Sequence, residues 1–114
     1  MAKEYLVVPE AGEESLFTSL QSLGFRFGNP ASGEISGWTQ EGRQVFRDIE
    51  SGLEAFRMGT GIQLWRGAGS DLYIARDFEE ETIRVWFDGW TTTETAEIME
   101  GLRRRGIVFE IAYD

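Results

Sequence analysis

"IQLWRGAGSDLYIARDFEEETIRVWFD", residues 62–88, decides the fold. Ile62 and Leu64, Leu72 and Ile74, and Ile83, Val85 and Phe87 stand at alternate positions in three short runs. A strand buried on one face requires that alternation, because successive side chains point to opposite faces. "GAGSD" (67–71) separates the first two runs and "DFEEE" (77–81) the last two. Turns this short predict an antiparallel meander over 62–66, 72–76 and 82–88.

The remaining residues of the same strands fall on the second face: Gln63, Trp65, Tyr73, Arg84, Trp86 and Asp88. Three aromatics on three successive strands, mixed with charged and hydrogen-bonding groups, suit neither plain solvent nor a dry core. Side chains on neighbouring antiparallel strands lie close enough to act together. Two readings follow. A helix or the 34–58 segment covers this face as a second small core, or part of the face is open for binding. Trp, Tyr and Arg dominate binding hot spots because they bury large areas and keep a polar handle. Trp38 and Trp90 stand where they could border the same patch, and Asp71, Asp77, Glu79, Glu80, Glu81 and Asp88 give it an acidic rim.

On either side of the meander the pattern turns helical. Tyr5–Val8 is a short apolar run closed by Pro9, a first strand. Residues 13–23 place Leu16, Phe17, Leu20 and Leu23 at helical spacing, with Glu13 and Glu14 at the positive end of the dipole and Gly24 as the stop. Residues 92–105 repeat the plan with Ile98, Met99 and Leu102, ending at Gly106. Phe17-x-x-Leu20-x-x-x-Gly24-Phe25-x-Phe27 matches Met99-x-x-Leu102-x-x-x-Gly106-Ile107-x-Phe109. "FRF" (25–27) and "IVFEIAY" (107–113) follow as strands, which makes a β-α-β unit at each end, as in a ferredoxin-like split arrangement. "EISGW" (34–38) is a further short strand. Over 41–58, Val45, Ile49, Leu53 and Phe56 form a helical stripe with Phe46 beside it, although Gly52 weakens a helix by about 1 kcal/mol relative to Ala. A pair of short strands broken at "ESG" is the alternative. The expected fold is one α+β domain over 1–114, with a mostly antiparallel sheet of five or six strands and two or three helices.

Composition narrows the chemistry. The chain has 114 residues, a formal net charge of −9, no Cys and no His. Disulfides, thiolate nucleophiles, imidazole bases and the usual zinc or copper ligands are therefore absent. Phosphate binding needs a basic footprint, so neither nucleic acid nor an anionic membrane is the expected partner. "GTG" (59–61) and "GAG" (67–69) lack the remaining residues of a dinucleotide or phosphate loop, and strands rather than helices follow them. Asp77 and Glu79–Glu81 crowd one turn without the alternating oxygen ligands of a calcium loop. Arg103, Arg104 and Arg105 sit where they offset a helix dipole. The single Lys, Lys3, is poorly placed to activate a serine, and its scarcity against ten Arg hints at a GC-rich bacterial genome. The four-residue apolar run near the N-terminus is too short for a signal peptide or a membrane span, so a cytoplasmic protein is expected.

These features make the expected function non-enzymatic and free of metals and cofactors. The leading expectation is an acidic protein-binding module of the immunity or inhibitor kind, which neutralises a basic toxin or nuclease. Its contact residues would be Trp65, Tyr73, Arg84, Trp86, Asp88, Trp90, Glu79, Glu80 and Glu81. A sensory or small-molecule-binding domain with an aromatic pocket is one alternative. A homodimer that buries the aromatic face is another.

Overall fold

A computed structural model describes residues 4–67, 70–88 and 92–113, except for the side chains of Glu4, Ser70, Asp71, Asp88 and Thr92. Seven strands are described: β1 (Glu4–Pro9), β2 (Ile35–Thr39), β3 (Gly42–Phe46), β4 (Gly61–Gly67), β5 (Ser70–Asp77), β6 (Thr82–Asp88) and β7 (Glu110–Tyr113). Three α-helices accompany them: α1 (Glu13–Ser22), α2 (Ile49–Arg57) and α3 (Thr92–Arg104). The strands form one sheet in the order β3-β2-β4-β5-β6-β1-β7, and every pairing is antiparallel. The molecule is an α+β fold with one or two more strands than the expected five or six.

The expected meander is present as β4, β5 and β6. Ile62 faces Ile74 and Leu64 faces Leu72 across the first pair, and Leu72 faces Phe87 and Ile74 faces Val85 across the second. β1 continues the same face, with Leu6 opposite Val85 and Val8 opposite Ile83. Leu16 and Leu20 of α1, Phe56 of α2, and Ile98 and Leu102 of α3 close over these side chains, all at most 1% exposed. All three helices thus bury their apolar stripes in a single core on one face of the sheet. Burying a side chain of this size contributes about 1.5–3 kcal/mol, so this face holds most of the stabilising apolar area.

The two matched helix ends are built alike. Gly24 and Gly106 take φ of 98° and 79°, the left-handed region that favours glycine. Phe25 N–H then donates to Leu20 C=O, and Ile107 N–H to Leu102 C=O, each at 3.0 Å. The strands that follow are shorter than their apolar pattern suggests. "FRF" makes only an isolated bridge between Arg26 and Trp65, and pairing in the last segment begins at Glu110. β6 and β7 both pair antiparallel with β1, so they run parallel to each other with β1 between them and α3 joining them. That is a split β-α-β unit.

Residues 41–58 are neither one helix nor two strands but one of each. β3 ends at Phe46, and Asp48 caps α2 by accepting a hydrogen bond from Ser51 N–H at 2.8 Å. The supposed stripe is therefore cut: Val45 lies in β3 at 53% exposure, Ile49 is 48% exposed, and Phe56 is buried. Gly52 finds its reason in packing, since a Cβ there would stand 3.3 Å from Ile35 Cγ2 and 3.6 Å from the Phe46 ring. Its missing side chain brings α2 down onto β2 and β3. The helix belongs to the core face, so it does not cover the aromatic one.

Candidate functional site

The second face of the sheet carries no helix among the described residues. Its rows follow from the register. Gln63 pairs with Tyr73, Tyr73 with Trp86, and Trp86 with Tyr5. One row further along, Trp38 pairs with Gly61, Ala75 with Arg84, and Arg84 with Val7. The face expected from alternation is real, and it is wider than the meander because β1 and β2 extend it on both sides.

Each expected residue can be placed. Trp86 is half-buried and packs against Tyr5, with ring centroids 5.4 Å apart and planes tilted by 32°. Tyr73 is half-buried, and its hydroxyl accepts a hydrogen bond from Trp38 Nε1 at 2.9 Å. Arg84 pairs with Asp77 and lies 5.6 Å from the Tyr5 ring centroid, so the guanidinium is engaged on both sides. Gln63 is 7% exposed and accepts from the Ser36 hydroxyl through Oε1 at 2.7 Å. Trp65 is half-buried, its backbone bridges to Arg26, and its indole N–H is buried without a hydrogen bond among the described residues. Asp88 and Asp71 are register partners, while Trp90 lies outside the described residues.

The acidic turn stands at one end of this face. Glu79, Glu80 and Glu81 are exposed, and Glu80 N–H donates to Asp77 Oδ1 at 3.1 Å. Glu81 adopts φ of 54°, and its carbonyl accepts from Glu10 N–H at 3.0 Å, which ties the turn to the end of β1. Among the described residues no group of three or more acidic side chains is placed to hold a metal ion. The basic run at the end of α3 is occupied locally: Arg103 lies over the Phe109 ring at 5.0 Å, Arg104 pairs with Glu100, and Arg105 donates to Gly101 C=O.

Two depressions mark the aromatic face. The larger, about 600 Å³, is lined by Trp38, Tyr73 and Trp86, with Gly61 and Ala75 between them. The smaller, about 390 Å³, lies beside Arg84, Asp77, Phe78 and Glu79 and shares Trp86 as a wall. A hydrogen and a methyl group at 61 and 75, flanked by large rings, turn a flat sheet into a groove. Sequence reasoning gave Trp38 only a bordering role and missed Tyr5, Gly61 and Ala75. Alternation marks Tyr5 as opposite in face to Leu6, but nothing local says that β1 lies beside β6.

Within the described residues no helix is long and apolar enough to cross a membrane. No family model, no curated protein and no solved structure matches the chain.

Proposed function

We propose that this chain is a protein-binding module of the inhibitor or immunity kind, which uses the open face of its sheet to cap a basic protein. One observation carries the reading: Trp38, Tyr73 and Trp86 line a groove on the face opposite the core, and no helix among the described residues covers it. Half-buried Trp and Tyr offer large rigid contact area at little entropic cost. The net charge of −9 and the exposed carboxylates at Glu79–Glu81 supply long-range attraction for a cationic surface. A nuclease or similar toxin, whose working site is itself cationic, fits that complement.

The test is capture of host proteins on the tagged chain at low and moderate salt, beside a Trp86→Ala variant. The expected outcome is one stoichiometric basic protein whose binding weakens by about 2 kcal/mol or more in the variant, with the fold intact by circular dichroism. A variant that unfolds while its folded fraction binds unchanged makes Trp86 a structural residue and removes this reading of the face.

A further inference from the structure

The groove has a shape and chemistry of its own. Its walls are the rings of Trp38, Tyr73 and Trp86, and its lining includes no charged side chain. The Trp38 indole N–H is spent on the Tyr73 hydroxyl. Thr39 and Gln40 also line the groove but are neutral, so its charge preference comes from the aromatic rings, whose faces are negative and attract cations. The groove also has depth, because Gly61 and Ala75 leave space between the rings. The adjoining depression across Trp86 sets Asp77 and Glu79 beside Arg76 and Arg84, so its charges are balanced locally and the attraction for a cation rests on the ring walls.

Resting on the capping function proposed above, we infer that the Trp38–Tyr73–Trp86 groove receives an arginine side chain of the basic partner. Arginine rather than lysine follows from the walls. A planar, weakly hydrated guanidinium stacks on aromatic faces, whereas a compact ammonium holds its water more tightly. The groove is also large enough to take the aliphatic stem with the head group.

Methylguanidinium is the probe, followed through the tryptophan indole N–H signals by NMR, with methylammonium and neutral urea as controls. The expected result is a saturable shift of the Trp38 and Trp86 signals with methylguanidinium. Binding of methylammonium should be at least about threefold weaker, with no saturable response to urea. Gly61→Val should abolish the response by filling the groove. A Cβ at Gly61 meets Ala75 Cβ and the Trp38 carbonyl oxygen at 3.6 Å, ordinary contact, so the fold is expected to survive. Trp38→Ala, at a site 44% exposed, gives a second variant that removes a wall instead. No saturable response in the folded wild type, an equal response to urea, or a response unchanged in both variants overturns the inference. Partner capture separates the two levels. A basic protein bound equally by wild type and Gly61→Val sinks the groove and leaves the capping function standing. A groove that takes methylguanidinium, in a chain that captures no basic protein, supports the site and removes the capping function.

Discussion

A methyl group at Gly37 would stand 2.1 Å from the Gly61 carbonyl oxygen, well inside van der Waals contact. β2 and β4 meet there over only two register pairs, Gly37–Ile62 and Trp38–Gly61. The missing side chain lets the strands approach and sets Trp38 beside the groove. Gly37→Ala should therefore cost about 1–3 kcal/mol, the usual range for overpacking, measured as a lower denaturation midpoint. An unchanged midpoint would mean that the close approach is not needed. Asp48 acts through charge. The Ser51 backbone N–H, the largest influence on its carboxyl, holds its pKa below the ordinary 3.8, with smaller help from the Ser51 side chain and Arg47. A carboxylate more acidic when folded stabilises above its unfolded pKa, and that contribution fades as pH falls through the lowered folded value. Asp48→Asn keeps a capping oxygen but cannot titrate. Thermal melts from neutral pH down to about pH 2 should show wild type losing stability relative to Asp48→Asn at the acid end. Parallel curves would exclude Asp48 from that loss.

At the scale of elements, the proposed function gives the acidic turn between β5 and β6 a separable part in the encounter with a basic partner. Glu79→Lys with Glu80→Lys should slow association with the partner and flatten its salt dependence, with little change in dissociation. Rates unchanged at low salt would place the turn outside the encounter surface. Glu81 is left alone because its φ of 54° and its carbonyl bond to Glu10 anchor the turn. The elements also show what could be read in advance. The meander was legible because alternation is a property of each strand; the start of α1 followed from its acidic first turn, and the ends of α1 and α3 from their glycine stops. The 41–58 segment misled because Val45 and Phe46, two strand residues, happen to continue the spacing of Leu53 and Phe56 in α2. Asp48, a capping residue three before Ser51, was the local sign of the break. "FRF" and the start of "IVFEIAY" fall short of paired strand because apolar alternation says nothing about whether a neighbouring strand is there to pair with. Of the candidate site, Tyr73, Trp86 and Arg84 came from alternation alone. Tyr5 and the groove between Trp38 and Trp86 depended on pairings between segments far apart in the chain.

Across the whole molecule, the sheet divides its residues between two faces. Leu72, Ile74, Ile83 and Val85 face three helices, while Tyr73, Trp86 and Arg84 occupy the positions between them and face away. Fold stability and surface identity are thus interleaved residue by residue along the same strands. Selection can act on one set without drawing on the other. If the proposed binding role holds, a change at Trp38, Tyr73 or Trp86 would alter what the face accepts at modest cost to the core, and a lineage facing a shifting partner could rewrite that face in single steps while the scaffold underneath stayed above its folding threshold.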